Sequence, residues 1–405
     1  MKKRVAITGL GVATPIGSGT EKFWANMREG IVGTGPVSSF DATVYGEYNK
    51  GGEIKDLNPS DYMHIINPLE TGRTTQLAVA VARMAFEDAK LDVFSYERDR
   101  IGVCFGTTMG NNSIVEMYHD LEVKTNDSIK WDVMKFYPEN YISAAVSLEL
   151  GCEGPSLMVP TACAAGNYAI SNGMDLIQDG QADAVIVGGS DGMSRACFTT
   201  FYCLGAIDPT VVRPFDKNRS GTIVSEGASA LVLEDYDKAV ARGAKIYAEL
   251  LGYGLSCDAN HPTAPHPDGL GAKLAIRRAL DKANINPDEV SYISAHGTGT
   301  KANDFTESIA IRDIFGEKAD HIPSSSIKSM LGHTMGAASA IEAVACTLAI
   351  RDSVVPPTMN YVEPDNNCLV NIVANAAVSA DVDIVLSNAF AFGGNISTII
   401  IGKAR

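Results

Sequence analysis

The sequence predicts an α/β fold, because short β-branched segments alternate with alanine-rich amphipathic helices along a chain of 405 residues. Several of the β-branched segments are bounded by glycine, as buried strands usually are. A chain of this length can bury a large core, and its 45% hydrophobic and 20% charged residues are typical of a globular enzyme. We therefore expect layers of helices and strands in which the sheets are mostly parallel.

The first part of the chain carries four predicted strands and two predicted helices. The strands are residues 5–9, 101–106, 184–189 and 228–234. The helices are residues 75–90 and 164–179, in which apolar side chains recur with helical spacing.

The strand–helix order starts again near residues 245–252, without a low-complexity linker. The predicted helices of this second part are residues 273–283 and 337–351, and the closing strands are residues 383–387 and 398–402. We therefore divide the chain into residues 1–244 and 245–405, although no residue-level repeat relates the two parts.

A glycine-rich segment at residues 9–15, GLGVATP, is superficially similar to a dinucleotide-binding fingerprint. Thr14 stands where the third glycine of that fingerprint is required, and Pro15 follows it. We interpret the segment as a glycine-rich turn at the edge of the core and expect no NAD site.

The bulk composition excludes several classes of protein. A formal charge of −15 argues against nucleic acid as a partner. No apolar run approaches the eighteen or so residues that span a bilayer, and the short N-terminal apolar segment breaks at once into Gly-Leu-Gly. We therefore expect no membrane association and a cytoplasmic location.

Most of the eight cysteines, such as Cys104 and Cys346, lie in apolar runs typical of reduced core residues.

Cys163 is the most informative residue of the chain. It lies in VPTACAAG, residues 159–166, just before a predicted helix, where a thiolate is stabilised by unpaired amides and the helix dipole. Small neighbours leave room for a thioester to approach. The alternative is a small buried cysteine that packs the start of a helix.

Two histidines in glycine-containing turns follow far downstream. His296 comes after a plausible strand at residues 291–295, at a carboxyl end where α/β sites tend to gather. His333 lies in GHTMG, residues 332–336, just before the predicted helix 337–351. Each histidine taken alone could be a satisfied loop residue. A thiol and two imidazoles, each between a strand and a helix, are side chains suited to carbon–carbon bond formation on thioesters.

Together these three motifs resemble the β-ketoacyl-acyl-carrier-protein synthases, the elongating condensing enzymes of fatty-acid and polyketide assembly. The resemblance runs essentially from end to end. It implies the thiolase fold, in which two pseudo-repeated halves stack as five αβαβα layers with the site between them. It also implies that Cys163 carries an acyl group while neutral His296 and His333 donate to the malonyl thioester oxygen and stabilise the enolate.

The resemblance assigns a supporting charged pair to Lys328 and Glu307, which would orient the histidines. Two plainer interpretations stay open. Glu307 could close a capping box with Asp304 at a helix N-terminus. Lys328 could be a solvated surface lysine after a strand at residues 323–327.

The resemblance also assigns a gate to the C-terminal loop, residues 387–395. Phe392 would be the gate beside the nucleophile, and its backbone amide would form an oxyanion hole with that of Cys163. Phe390 and Gly393 of the same loop are counted with the substrate-binding residues, and Thr298 and Thr300 would touch the phosphopantetheine arm.

The loop departs from the usual family pattern at two positions. Ala391 stands where the family usually has glycine, and Asn395 stands where a threonine would follow the last glycines. These replacements suggest a stiffer gate, so acyl-chain selectivity is not transferred.

Comparison of motifs separates the chain from three related classes. Degradative thiolases have a second cysteine in the C-terminal loop, which here has none. Initiating synthases have asparagine at the position of His333. Chain-length partners of polyketide synthases lack the nucleophile, whereas Cys163 is present. The resemblance therefore favours decarboxylative elongation.

The motifs around His296 and His333 look more like type II polyketide or other specialised ketosynthases than the housekeeping enzyme. Residues 63–70 also lack the basic residues that housekeeping enzymes tend to carry for carrier docking. Housekeeping fatty-acid elongation is the first alternative. A non-condensing scaffold and a malonyl decarboxylase are the others.

The expected partners are an acyl carrier protein and either a second copy of the chain or a subunit similar to a chain-length factor. The dimer would form through the strand that precedes Cys163. No metal-ligand spacing is present, and we expect no cofactor beyond the phosphopantetheine on the carrier. The starter acyl group and the product length are not encoded in any motif.

Overall fold

The computed structural model describes residues 2–91, 95–125 and 135–404. The helices of the described residues are α1 Thr20–Arg28, α2 Arg73–Asp88, α3 Asn112–Thr125, α4 Asn140–Leu150, α5 Ala165–Gln178, α6 Arg195–Cys203, α7 Tyr236–Ala241, α8 Leu270–Ala283, α9 Lys301–Phe315, α10 Lys328–Leu331 and α11 Ala338–Asp352. The strands are β1 Val5–Thr14, β2 Gly17–Ser18, β3 Thr34–Pro36, β4 Lys50–Gly52, β5 Ile101–Gly106, β6 Ser156–Val159, β7 Ala184–Asp191, β8 Gly227–Asp235, β9 Ala248–Cys257, β10 Tyr292–Ser294, β11 Ser324–Ser325, β12 Val354–Val355, β13 Val378–Ser379, β14 Ile384–Phe390 and β15 Asn395–Gly402.

The large sheet contains the same strand order twice. Its path is β11-β10-β14-β15-β9-β1-β8-β7-β5-β6. Read outward from β1, the first half runs β1-β8-β7-β5-β6, and read outward from β9, the second half runs β9-β15-β14-β10-β11. If the five strands of each half on this path are numbered along the chain, both halves have the spatial order first, fifth, fourth, second, third. This repeat is the two-halved thiolase arrangement that the resemblance implied.

The sheet is mixed, so the expectation of mostly parallel sheets was wrong. In each half the two outer pairs are parallel, whereas the pairs nearer the centre are antiparallel. Antiparallel pairing of β1 with β9 joins the halves. Alternation of strands with helices predicts parallel crossovers, but it does not reveal that the last two strands of each half turn back on one another. The division at residues 244/245 stays a prediction.

Five layers follow from the contacts of the helices. Helix α2 packs on β1, β8 and α4 at one outer face, and α8 packs on β9, β15 and α9 at the other. Helices α5 and α11 contact each other and strands of both halves, so they form the middle layer. The largest cluster of buried apolar side chains lies around this middle layer.

The glycine-rich segment near the N-terminus is strand rather than turn, which corrects the sequence interpretation. Gly9 and Gly11 both lie within β1, on the face covered by α2. A Cβ atom on Gly9 would lie 2.2 Å from the carbonyl oxygen of Ala85, and one on Gly11 would lie 2.0 Å from that of Val81. These glycines therefore allow α2 to pack closely against β1.

The parallel strands bring the candidate residues to the same edges of the sheet. Cys163 follows β6, and Asp191 ends β7. In the second half, His296 follows β10, and both Lys328 and His333 follow β11. Because parallel strands end at one edge, each half contributes one group of side chains to the space between the halves. No helix in the described part of the chain is long and apolar enough to cross a membrane.

Candidate active site

Cys163 lies in a short 3-10 turn, residues 162–164, that leads directly into α5. The side chain is buried, with 5% of the residue exposed. Burial raises the pKa of the Cys163 thiol to about 12, although the charge of Lys328 acts in the opposite direction. A thiol with this pKa is protonated at neutral pH, so its deprotonation requires a base.

His333 is the direct partner of the thiol. Its Nε2 atom lies 3.0 Å from Sγ of Cys163. Its backbone is fixed, since its N–H donates to the Ile223 carbonyl at 2.7 Å and its carbonyl accepts from the Ser225 N–H at 3.0 Å. Burial, together with the charge of Lys328, holds the pKa of His333 well below its ordinary value, so the ring is neutral.

The tautomer of His333 is not fixed by its surroundings. Its Nδ1 atom is buried and has no hydrogen-bond partner among the described residues. A neutral imidazole has one donor and one acceptor nitrogen. Nε2 can therefore accept the thiol proton of Cys163 or present an N–H to a bound group, depending on which nitrogen carries the proton.

His296 faces the same space, with its ring centroid 5.6 Å from that of His333. The Nζ atom of Lys328 lies 3.4 Å from Nδ1 of His296 and donates to the His296 carbonyl at 2.7 Å. An ammonium group can only donate, so Nδ1 accepts and the ring proton resides on Nε2. Burial, with the charges of Lys328 and His333, holds the pKa of His296 well below its ordinary value, so the ring is a neutral donor.

Lys328 forms its ion pair with Glu342 rather than with Glu307. Nζ of Lys328 lies 2.5 Å from Oε1 of Glu342, and neither side chain is more than 2% exposed. The expected Lys328–Glu307 pair was therefore wrong, and so was the alternative of a solvated surface lysine. Burial raises the pKa of Glu342 to about 7 against the lowering effect of Lys328.

Glu307 instead fixes the backbone of the His296 loop. Its two carboxylate oxygens accept the N–H groups of His296 and Gly297, each at 2.8 Å, and Asn388 donates to it at 3.1 Å. Burial raises the pKa of Glu307 to about 7, with these bonds acting in the opposite direction. Glu307 lies inside α9, which begins at Lys301, so the capping-box interpretation was also wrong.

The C-terminal loop places two phenylalanines at the cavity. The ring of Phe392 stacks on that of Phe201 with centroids 5.5 Å apart, and Phe201 meets His333 edge to face at 6.3 Å. Phe390 lies 5.7 Å from the His296 ring. Gly393 does not line the cavity, and its N–H donates to the Pro262 carbonyl at 2.7 Å.

The two family departures in this loop are accommodated locally. Ala391 has an extended backbone, φ −135°, that any residue adopts, and Asn395 begins β15. The left-handed conformations fall on Gly393 and Gly394, each with φ 77°. The effect of the departures on the gate stays a prediction.

A cavity of about 390 Å³ joins these groups. Its lining includes Cys163, His296, His333, Phe390 and Phe392. Thr298 and Thr300 also face the cavity, with their hydroxyl oxygens 2.9 Å apart. No group of three or more metal-ligating side chains was found among the described residues.

Sequence reasoning missed Glu342, Asn388 and Phe201. Glu342 did carry a signal, because it is the one charged residue among the first thirteen positions of α11, all of which are buried. A charge in such a helix requires a partner. Asn388 and Phe201 carried no comparable signal, since their roles depend on contacts across the fold.

Comparison with known proteins agrees with this geometry. The model of the β-ketoacyl synthase N-terminal domain matches residues 2–239, and that of the C-terminal domain matches residues 247–362. A 3-oxoacyl-[acyl-carrier-protein] synthase 2 of Synechocystis sp. is 40% identical, over 99% of this chain and 98% of the relative.

Solved structures are similar over the whole chain. The ishigamide ketosynthase/chain length factor is 42% identical with a TM-score of 0.96, over all of both chains. A type II polyketide synthase ketosynthase, bound to a hexaketide and in complex with its acyl-carrier protein, is 32% identical with a TM-score of 0.92, again over all of both chains.

Proposed function

The chain belongs to the β-ketoacyl synthase family, and on that premise we propose that it catalyses the decarboxylative condensation of a malonyl thioester with an acyl group held on Cys163. The observation that carries the proposal is the geometry of one cavity. Sγ of Cys163 lies 3.0 Å from Nε2 of His333, and the His296 ring is 5.6 Å from that of His333. A nucleophile and two neutral imidazoles at such distances suit acyl transfer followed by enolate stabilisation.

The first half-reaction transfers the acyl group from a carrier thioester to Cys163. The bond between the Cys163 sulfur and the acyl carbon forms, and the bond between that carbon and the carrier sulfur breaks. His333 Nε2 takes the thiol proton and passes it to the departing carrier thiolate, so the acyl group replaces the thiol proton on the protein. The protonated state of Cys163 makes this transfer through His333 necessary.

The second half-reaction uses a malonyl thioester. Its carbon–carboxylate bond breaks, carbon dioxide leaves, and the electron pair moves onto the thioester oxygen. The Nε2–H group of His296 donates to that oxygen. Acylation leaves the ring proton of His333 on Nδ1, so His333 becomes a second donor after that proton exchanges through solvent to Nε2. The enolate carbon then attacks the acyl carbonyl, so that a carbon–carbon bond forms and the bond to the Cys163 sulfur breaks. The released Cys163 thiolate takes up one proton from solvent. Lys328 acts by fixing the donor tautomer of His296.

We propose that the acyl groups arrive on a phosphopantetheine arm of an acyl carrier protein and that no other cofactor is needed. Thr298 and Thr300 would contact the arm, since their hydroxyls face the cavity. Phe392 would gate the thiol, since its ring stacks on Phe201 beside His333.

We further propose that the chain acts as a dimer through β6, with itself or with a chain-length subunit. Strand β6 ends the sheet path, and among residues 2–91, 95–125 and 135–404 its one partner strand is β5. Leu157 within it is 40% exposed. An unpaired edge with an exposed apolar side chain favours strand pairing with a second chain.

The pathway we favour is specialised or type II polyketide elongation, with housekeeping fatty-acid elongation as the second candidate. The 42% identity to a chain of the ishigamide ketosynthase/chain length factor supports the first, and the 40% identity to a 3-oxoacyl-[acyl-carrier-protein] synthase 2 supports the second. The two candidates are distinguished by supplying an unreduced β-ketoacyl carrier as the acyl donor and measuring the mass of the product. A polyketide enzyme extends it, whereas a fatty-acid enzyme requires the reduced chain.

The reaction is tested by mixing the protein with an acyl carrier protein that bears a labelled acyl chain and weighing the intact protein. The expected mass gain of one acyl group disappears in Cys163→Ala and persists in Cys203→Ala, which removes an exposed thiol outside the cavity. Malonyl carrier is then added, and β-ketoacyl carrier and carbon dioxide are measured. A mass gain in the wild type that survives in Cys163→Ala would contradict the proposal.

A further inference from the structure

Asp191 is a buried carboxylate that the condensation chemistry does not use. It is the last residue of β7, and 1% of it is exposed. Burying a carboxylate costs free energy unless donors replace its water shell. The donors that surround Asp191 therefore indicate which segments its carboxylate holds together.

Four donors from two separate segments converge on this carboxylate. Oδ1 accepts the hydroxyl of Thr107 at 2.7 Å and the N–H of Met109 at 2.9 Å. Oδ2 accepts the N–H of Thr108 at 2.8 Å and the N–H of Gly336 at 2.7 Å. Asp191 thus joins the loop after β5 to the turn that follows His333.

The turn after His333 is strained and closely packed. Met335 has φ 52°, a left-handed conformation that is strained for a residue with a side chain. A Cβ atom on Gly336 would lie 2.6 Å from the Thr107 carbonyl carbon and 2.7 Å from Oδ2 of Asp191. The hydrogen bond from Gly336 to Asp191 offsets this strain and keeps the turn in place.

We propose that Asp191 is a positioning residue that sets the distance between His333 and Cys163. The backbone of His333 is bonded to Ile223 and Ser225 on one side, and the turn that follows it is bonded to Asp191 on the other. With both sides fixed, Nε2 stays 3.0 Å from the thiol although Nδ1 has no partner to orient the ring. The inference rests on the proposed condensation and deepens it.

The test compares two amide replacements of buried carboxylates. Asp191→Asn puts an NH₂ group against at least one of the converging backbone N–H groups, whichever way the amide lies. Glu53→Gln is the matched control. Glu53 is also buried and accepts the N–H groups of Ser38 and Ser39 and the hydroxyl of Ser38, and none of these residues lines the cavity.

Three quantities are measured for both variants: melting temperature, kcat and KM for condensation, and the rate of iodoacetamide alkylation at Cys163. We expect both variants to melt at lower temperature. Only Asp191→Asn should lose about tenfold or more in kcat with KM nearly unchanged, because a small displacement of a reacting group has an effect of this size. It should also change the alkylation rate of Cys163. A kcat within about twofold of wild type in Asp191→Asn would overturn the inference.

A second pair of variants keeps the test decisive if Asp191→Asn does not fold. Thr107→Val removes the hydroxyl donor to Asp191, and Thr107→Ser keeps it. Loss of kcat in the first with retention in the second supports the inference, and equal kcat values overturn it. Wild type that forms no β-ketoacyl product would instead refute the proposed function, while the alkylation rates would still report on the position of His333.

Discussion

The ammonium of Lys328 lies 2.5 Å from Oε1 of Glu342 and, at the same time, 3.4 Å from Nδ1 of His296. The ion pair is fully buried in the layer between the two halves of the fold. Glu342 therefore orients the cation that fixes the proton of His296 on Nε2. A carboxylate that touches no part of the cavity thereby determines which ring nitrogen can donate into it.

We predict that Glu342→Leu destabilises the fold by about 3–5 kcal/mol, because it leaves the Lys328 ammonium buried without a counter-charge. The double variant Lys328→Met/Glu342→Leu should be less destabilised than Glu342→Leu alone. Urea unfolding of the three proteins measures the difference. Lys217→Met, which removes an exposed partner of Glu363, is the control and should leave the unfolding midpoint unchanged. Equal destabilisation of the single and double variants would show that the pair is not coupled.

A second prediction distinguishes the role of His296 in decarboxylation from the role of Cys163 in acylation. His296→Ala should reduce decarboxylation of malonyl carrier by about 10²–10³-fold, the usual loss for one donor to a developing oxyanion. It should leave acylation of Cys163 measurable, since the thiol is hydrogen-bonded to His333 rather than to His296. Cys163→Ala should show the reverse, with no acyl-enzyme and continued release of carbon dioxide. Acyl-enzyme mass and carbon dioxide release, measured on the same preparations, check both expectations.

Most of the fold could be predicted because its signals are local. Glycine-bounded apolar runs and alanine-rich helices gave the positions of β5, β7, α2 and α11 to within a few residues. The directions of strand pairing could not be predicted, because they depend on contacts between distant segments. The strand character of Gly9 and Gly11 was missed for the same reason: their role is to admit α2, which begins about sixty residues later.

In the site, too, the residues marked by local motifs could be predicted, whereas contacts between distant segments could not. Cys163, His296 and His333 stand in recognisable turns, so their motifs identified them. The partner of Lys328 could not be predicted from the motifs, because choosing between Glu307 and Glu342 requires knowing where two helices lie. The pKa of Cys163 is raised chiefly by burial, which depends on segments far away in the sequence.

A third prediction tests the close packing of α2 on β1. Gly9→Ala would place a Cβ atom 2.2 Å from the backbone oxygen of Ala85, and a backbone atom cannot move away as a flexible side chain can. We expect a loss of about 1–3 kcal/mol or more in the free energy of unfolding. Gly35→Ala is the matched control, because Gly35 also lies in a strand but has open space around its Cβ position. Chemical denaturation of both variants checks this, and equal midpoints would contradict the packing argument.

The last prediction concerns the reactivity of Cys163 as a function of pH. Because burial raises the pKa of this thiol to about 12, the thiolate fraction should increase about tenfold for each pH unit throughout the range from 7 to 10. The rate of iodoacetamide alkylation should rise with it and show no plateau. The measurement uses a Cys203→Ser/Cys257→Ser background, which removes the two exposed thiols. Lys328→Met should slow alkylation at every pH, since the charge that lowers the pKa is lost. A plateau near neutral pH would mean that the start of α5 stabilises the thiolate more strongly than burial opposes it, and the proton transfer assigned to His333 would then be unnecessary.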